Sequence, residues 1–173
     1  INNKIPNSEI TIIDTPGLIP DRRISDLISV ENGLKLVPAG EISRKTFKLE
    51  ENQVFMFDVF CRFKILGNEL LKSGSKPIFS AYASKSVKFH VAREERVEAL
   101  LNGSFFEILE GSEKKKYFQN EFVTHEVEIE ENEELVIAGL GWINVKRGPL
   151  KIQLEVPEKV KVVIRPSIFR NKK

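Results

Sequence analysis

This chain of 173 residues has one cysteine and one methionine, and its apolar runs are short. Its one cysteine, Cys61, allows neither a disulfide framework nor a thiolate metal cluster within the chain. No apolar run approaches the roughly 20 residues of a membrane-spanning helix, and the N-terminus has no signal-peptide pattern. We therefore expect a cytoplasmic protein with no membrane partner. Because the chain begins at Ile1 and its one methionine is Met56, we also expect it to be a piece of a longer protein.

The charge is nearly balanced overall but unevenly distributed. The net charge is +2, with 30% charged and 41% hydrophobic residues, which is typical of a globular chain. Residues 126–134 are markedly acidic, whereas basic residues far outnumber acidic ones over residues 146–173. The C-terminal end is therefore predicted to be a basic surface.

Residues 1–37 have the pattern of a strand, a loop and a helix. Residues 9–13 are β-branched and almost continuously apolar, which is typical of a buried strand in a parallel sheet. The strand is expected to end at Asp14-Thr15-Pro16-Gly17. A helix follows from Arg23, with its apolar residues at helical spacing, and is predicted to close near Asn32-Gly33. We interpret this unit as the tail end of a P-loop α/β domain.

Residues 38–173 predict a second domain that is mostly antiparallel β. About eight strands and one helix are expected, which makes the chain α+β and mainly β. The helix is predicted over residues 93–101 and ends at Asn102-Gly103. The strands are predicted over residues 46–49, 54–66, 77–83, 87–91, 124–129, 135–145, 150–156 and 160–165.

The loop Asp14-Thr15-Pro16-Gly17 carries the clearest chemical signal. In nucleotide-hydrolysing P-loop domains, a carboxylate at a strand end holds Mg²⁺ through water, and a glycine amide contacts the γ-phosphate. Only glycine lets the backbone approach a phosphate that closely. The alternative is a strand-to-helix turn without a ligand, in which Asp14 caps the helix and Pro16 stiffens the loop.

Two further motifs of a GTPase are missing. The chain has no Gly-x-x-x-x-Gly-Lys-Ser/Thr phosphate cradle, and no Asn-Lys-x-Asp guanine-reading motif follows Gly17. Either the chain is not from a GTPase, or its motifs are permuted so that the others precede Ile1. In both cases we expect this chain alone to be inactive towards GTP.

A series of short motifs runs along almost the whole chain. They are Asp14-Thr15-Pro16-Gly17-Leu18-Ile19, Pro38, Glu41-Ile42, Phe47-x-Leu49, Arg62-Phe63, His90, Gly139-Leu140-Gly141-Trp142 and Val163-Ile164-Arg165-Pro166-Ser167-Ile168. In these motifs, which are in the right order and at plausible spacing, the chain resembles the YqeH family of circularly permuted GTPases.

The resemblance implies an activity, ligands and partners. It implies a protein that uses GTP and Mg²⁺ in small ribosomal subunit assembly, with its other GTPase motifs and a zinc module upstream. Asp14 would be the water-mediated Mg²⁺ partner and Gly17 the γ-phosphate donor, with Thr15 and Pro16 completing the nucleotide-binding loop. It also implies a C-terminal domain similar to the tryptophan RNA-binding attenuation protein, which contacts ribosomal RNA or the small subunit.

Basic residues near the C-terminus are the predicted RNA contacts: Lys151, Lys159, Lys161, Arg165 and Arg170. Strand alternation is expected to place Lys159 and Lys161 on one face with Arg165. The alternative is that these cations only protect an edge strand. Lys114-Lys115-Lys116 is interpreted as a solvated loop. Trp142 is predicted to pack in the core, with stacking on a nucleic-acid base as the alternative. Cys61 is predicted to pack in the core, and His90 and His125 to be structural.

Two functions remain open at this point. The leading hypothesis is a GTP-driven assembly factor of which this chain supplies the nucleotide-sensing loop and the recognition domain. The alternative is a stand-alone β-sheet module that binds protein or RNA without dependence on a nucleotide.

Overall fold

Ten antiparallel strands form two five-stranded sheets in the computed structural model, which describes residues 21–67 and 73–168. The first sheet has the order β1-β4-β8-β7-β10 and the second sheet the order β5-β2-β3-β9-β6. This confirms the predicted α+β, mainly β fold. The strands are β1 (Ser43–Lys48), β2 (Gln53–Phe57), β3 (Cys61–Ile65), β4 (Ile78–Ala83), β5 (Phe89–Arg93), β6 (Phe122–Ile129), β7 (Glu133–Ile137), β8 (Gly141–Arg147), β9 (Leu150–Pro157) and β10 (Val162–Pro166).

Short helices join and flank the strands in the described residues. They are α1 (Val30–Leu36), α2 (Val97–Asn102) and α3 (Gly111–Tyr117), with 3₁₀ turns at Ile24–Leu27 and Glu94–Arg96. The predicted helix over residues 93–101 is confirmed as a 3₁₀ turn followed by α2, which ends at Gly103. No helix in the described ranges is long and apolar enough to cross a membrane.

Phenylalanine rings join the two sheets face to face. Phe47 of β1 and Phe79 of β4 lie 4.9 and 5.1 Å from Phe55 of β2, measured between ring centroids. Phe63 of β3 lies 5.4 Å from Phe79. Edge-on and tilted contacts of this kind suit the ring quadrupoles, and each aromatic side chain removes a large apolar area from water. The face of the first sheet that carries Phe47 and Phe79 is therefore its core face.

Two predicted long strands are in fact hairpins. Residues 54–66 form β2 and β3, and residues 135–145 form β7 and β8, which gives ten strands instead of about eight. The first turn is hidden in the sequence because Val59 and Phe60 are buried like strand residues. It is made possible by Asp58, whose backbone has a φ of 51° and whose carboxylate accepts hydrogen bonds from the Val59 and Lys88 amides.

Two predictions about where helices lie are wrong. The helix predicted to close near Asn32-Gly33 is a 3₁₀ turn followed by α1, which continues through Gly33 to Leu36. Ser29 starts α1 because its hydroxyl accepts a hydrogen bond from the Asn32 amide, and Gly33 is buried against Ser25. The run from Lys114 to Lys116, predicted to be a loop, lies in α3.

Residues 22–36 pack onto the β domain. The Ile24 amide donates to the Ala138 carbonyl at 2.9 Å, and the Lys161 amide donates to the Arg22 carbonyl at 2.8 Å. The Ile24 side chain is fully buried. The prediction that residues 1–37 end a separate α/β domain depends on the strand over residues 9–13, which lies outside the described residues.

Candidate nucleic-acid interface

The predicted nucleotide-binding residues Asp14, Thr15, Pro16 and Gly17 lie outside the described residues, as does Arg170. Their roles therefore stay predictions. In residues 21–67 and 73–168, no group of three or more His, Cys, Asp or Glu side chains is arranged to hold a metal ion.

The other predicted RNA contacts are not brought together. Lys151 lies on β9 of the second sheet, opposite Glu128. Lys159 lies in the turn after β9, where its carbonyl accepts a hydrogen bond from the Arg22 side chain, and Lys161 precedes β10. The prediction that strand alternation aligns Lys159 and Lys161 with Arg165 is wrong, because β10 begins only at Val162.

Arg165 is held by a buried carboxylate. Its guanidinium bonds to Glu134 on β7, with the Nε and Oε2 atoms 3.1 Å apart, and the Glu134 side chain is fully buried. The Ser167 hydroxyl donates to Oε1 of Glu134 at 3.0 Å, and the Asn144 Nδ2 group donates to the Ser167 hydroxyl at 2.6 Å. A buried carboxylate needs such partners, so part of the Arg165 charge is already compensated within the protein.

The face of the first sheet opposite its core face, here called the outer face, carries this network. Because side chains alternate along a strand, neighbours of the inward residues Phe79 and Ile143 point outward. One outward row runs across all five strands and is polar. Its members, in strand order, are Thr46, Ser80, Asn144, Glu134 and Arg165.

The next outward row contains two stacked aromatic rings, with a cation over one of them. The Tyr82 and Trp142 rings lie 4.9 Å apart and are parallel to within 3°. The Arg44 guanidinium carbon lies 5.8 Å from the centre of the Tyr82 ring. The prediction that Trp142 packs in the core is wrong: Ile143 takes the inward position on β8, so Trp142 points to the outer face and is half-buried.

Three cations on the outer face escaped the sequence analysis. Strand alternation places Lys48 on the same side as Arg44. Lys146 lies at the irregularity in the β4–β8 pairing, and its side chain is close enough to Arg44 and Glu134 of the outer face to feel both charges. The pKa of Lys146 is lowered by burial and by the positive charge of Arg44, against the opposite effect of Glu134. Positive charges therefore crowd on this face. In the sequence, these cations are indicated only by the alternation of residues within β1 and β8. Nothing local shows that the two strands are near neighbours, because that depends on the strand order of the sheet.

Outward cations of the second sheet, by contrast, are matched by carboxylates. Arg62 lies 2.6 Å from Glu155, and Lys64 lies 2.8 Å from Glu94. Among the ion pairs of the described residues, none involves Arg44, Lys48 or Lys146 of the outer face.

The histidines and the cysteine lie elsewhere. The His90 and Phe105 rings make a tilted contact with their centroids 4.7 Å apart, and burial lowers the pKa of His90. His125 is exposed on β6 and distant from His90 in the register. Cys61 is buried between the sheets, which confirms the core prediction, and burial raises the pKa of its thiol.

The comparisons with known proteins agree with the resemblance found in the sequence. Residues 76–168 match the family described as YqeH-like, C-terminal. The chain is also 27% identical over 162 residues to the "Uncharacterized protein YqeH" of Bacillus subtilis (strain 168). That match covers 92% of this chain and 42% of the relative, so the chain spans less than half the length of that protein. The family match includes Trp142, Asn144, Glu134 and Arg165 of the outer face.

Proposed function

The chain belongs to the YqeH family, and we propose that it is the C-terminal part of a circularly permuted GTP-binding protein whose β domain binds RNA during small ribosomal subunit assembly. The whole protein would act in the cytoplasm as a GTP hydrolase, with GTP and Mg²⁺ bound by its other half and a zinc module further upstream. The partner of the β domain would be ribosomal RNA.

The observation that supports RNA binding is the crowding of Arg44, Lys48 and Lys146 on the outer face of the first sheet. Contacts with phosphates dominate the affinity of proteins for nucleic acids, and they need cations that no internal carboxylate neutralises. The single buried carboxylate of this face, Glu134, is committed to Arg165. The half-buried Trp142 adds an aromatic group of the kind that single-stranded RNA contacts in many sheet-based modules.

The nucleotide half of the proposal rests on Asp14 and Gly17. These residues would hold a Mg²⁺-bound water and the γ-phosphate, and the bound nucleotide would supply the energy for switching. In the full-length protein we expect Asp14→Ala to lower GTP turnover strongly, whereas Leu18→Ala is milder. Equal turnover by Asp14→Ala and the parent would show that this loop is not the nucleotide sensor.

A second candidate function is protein binding without a nucleotide. The observation in its favour is an apolar stripe at helical spacing on and just after α1, where Val30, Leu34 and Val37 are 82%, 67% and 58% exposed. If RNA binding fails and a protein partner covers this stripe irrespective of nucleotide, the stand-alone module is the better description.

Fluorescence-anisotropy titration with fragments of small-subunit ribosomal RNA tests the proposal. The variant Arg44→Gln/Lys48→Gln/Lys146→Gln removes three cations from the outer face. Its matched control, Lys151→Gln/Lys159→Gln/Lys161→Gln, removes three cations that the sequence alone favoured. We expect the first variant to bind about tenfold more weakly at low salt and to lose about 0.7 per phosphate contact from the log–log salt slope.

The control variant is expected to bind within about twofold of the parent, because its lysines lie off the outer face, on β9 of the second sheet and in the segment before β10. If the control variant loses as much affinity as the first, the interface is the C-terminal basic surface instead. If the parent does not bind at low salt, the RNA-binding proposal is wrong.

A further inference from the structure

Two buried side-chain polar atoms of the described residues have no hydrogen-bond partner, and both lie on the outer face of the first sheet. They are Nε1 of Trp142 and Oδ1 of Asn144. The two residues are separated by one position on β8, so their side chains leave the same face, roughly 7 Å apart along the strand. Buried polar groups are almost always paired in folded proteins, so two neighbouring exceptions indicate a group that a ligand would satisfy.

The chemistry of the two atoms is fixed by their surroundings. The indole Nε1–H can only donate. The Asn144 amide cannot be turned over, because its Nδ2 group donates to Ser167 and lies 3.4 Å from Oε1 of Glu134. Turning it would place Oδ1 against that carboxylate oxygen. The face therefore offers one unused donor beside one unused acceptor.

The neighbouring charges favour one class of ligand. Arg44 reaches over Tyr82 on one side of Trp142, and Lys146 follows Asn144 on β8. The pKa of Lys146 is lowered in part by Arg44, so the two cations lie close enough to repel each other. An anion between them would relieve that repulsion. The ligand that fits this site therefore carries negative charge. It also has an acceptor for the indole N–H group and, beside it, a donor for the Asn144 oxygen.

We propose that Trp142 and Asn144 read the base of one unpaired RNA nucleotide, while Arg44 and Lys146 bind its flanking phosphates. Trp142 Nε1 donates to a ring nitrogen or carbonyl of the base, and Asn144 Oδ1 accepts from its amino or ring N–H group. Every base has a donor and an acceptor on its Watson–Crick edge, but A and C combine a ring acceptor with an amino donor, whereas U and G combine a ring N–H donor with a carbonyl acceptor. A fixed donor and a fixed acceptor therefore favour one arrangement over the other, and only an unpaired nucleotide exposes that edge. This inference rests on the proposed function and adds base selectivity to it, since phosphate contacts alone carry no sequence information.

Entry of the base requires a local rearrangement, because bulk water does not reach the two unpaired atoms. Trp142 as a whole is half-buried, Arg44 is exposed and Lys146 is half-buried. The long side chains of Arg44 and Lys146 can move towards the phosphates as the base edge approaches β8. Once the covering side chains have moved, a hydrogen bond to the base replaces no hydrogen bond to water.

The first test compares nine-nucleotide homopolymers of A, C and U. We expect the parent to bind its best homopolymer at least about fivefold more tightly than its worst, which corresponds to one or two hydrogen bonds. Trp142→Phe keeps a ring beside Tyr82 but loses the donor. It should bring the three affinities to within about twofold while leaving the salt slope unchanged. Equal binding of all homopolymers by the parent overturns the inference, as does undiminished selectivity in Trp142→Phe.

The second test uses the indole resonance directly. Trp142 is the one tryptophan of the chain, so a ¹H–¹⁵N spectrum contains a single indole signal. That signal should move on titration with the preferred homopolymer and stay in place with tripolyphosphate, which offers charge without a base. Equal movement with tripolyphosphate, or with an uncharged blocked nonapeptide, would show that no base is read.

The two proposals fail in different ways. If the chain binds no RNA at low salt, the proposed function fails. If RNA binds, depends on Arg44, Lys48 and Lys146, and yet leaves the indole resonance unmoved, only the base-reading inference is wrong.

Discussion

Arg165 of β10 and Glu134 of β7 face each other across a strand pair, the carboxylate fully buried and the guanidinium side chain 41% exposed. The charge of the buried partner is therefore balanced by a side chain that water still reaches. If Arg165 is replaced, the Glu134 charge stays buried without its ion-pair partner. This destabilises the fold because Glu134 cannot regain its hydration.

Arg165→Gln is expected to lower the free energy of unfolding by about 1–3 kcal/mol, less than for a wholly buried pair because solvent screens the arginine. Arg165→Lys keeps the charge and should lose less than half of that amount. Urea unfolding followed by circular dichroism measures both variants. Identical midpoints for Arg165→Gln and the parent would show that the Ser167 and Asn144 contacts alone support Glu134.

The turn between β2 and β3 predicts a pH dependence of stability. Burial raises the pKa of Asp58 to about 6, against the opposing hydrogen bonds of the Lys88 and Val59 amides and the charges of Lys88 and Lys114. Because the folded state holds this proton more tightly than the unfolded state, the contribution of Asp58 to stability is full below about pH 4. It is lost as the pH rises through about 6.

Asp58→Asn removes this titration, and asparagine tolerates the positive φ at this position. The free energy of unfolding of the parent, relative to that of Asp58→Asn, should fall by about 2–3 kcal/mol between pH 4 and pH 7. Denaturant titrations of both proteins across this pH range measure the difference in their free energies of unfolding. The other carboxylates contribute equally to both proteins, so their contributions cancel in this difference. A constant difference would mean that Asp58 titrates at its ordinary pKa.

Helix α1 is fastened to α3 by one carboxylate. Glu113 accepts hydrogen bonds from the Ser29 amide and from the Asn32 side chain, both at 2.7 Å, and the Ser29 bond holds the pKa of Glu113 below its usual range. Glu113→Ala should speed amide hydrogen exchange of Val30–Leu36 by roughly 5- to 30-fold, which corresponds to one or two lost hydrogen bonds.

The matched control for this helix is Glu110→Ala, which removes an exposed carboxylate at the start of α3 that makes no side-chain cap. It should leave the exchange rates of α1 unchanged. Equal rates for Glu113→Ala and the parent would mean that the burial of Ile24 and Leu36 holds the segment without this clamp.

The fold was largely predictable because alternation and β-branched residues are local signals. The errors occurred where tertiary packing overrides them. Val59 and Phe60 look like strand residues, yet they turn the chain because Asp58 takes a positive φ and its carboxylate accepts the backbone amides of Val59 and Lys88. Gly33 looks like a helix end, yet α1 continues through it to Leu36, whose side chain is buried in the core.

The candidate interface was much less predictable than the fold. Clustered charge along the sequence directed attention to Lys151, Lys159 and Lys161, which lie off the outer face, the first on β9 and the other two before β10. The crowded cations Arg44 and Lys146 belong to strands that meet only through β4. Their proximity depends on long-range register, which a single sequence does not encode in any local pattern.

Co-sedimentation with isolated small ribosomal subunits at low salt tests the central claim most directly, because it requires neither a chosen RNA fragment nor a nucleotide. We expect the parent chain to sediment with the subunits and to be released as salt is raised, since counterions compete for the phosphates. Arg44→Gln/Lys48→Gln/Lys146→Gln should remain mostly in the supernatant, while Lys151→Gln/Lys159→Gln/Lys161→Gln sediments like the parent. A parent chain that stays in the supernatant at low salt, or an outer-face variant that sediments as the parent does, would contradict the account.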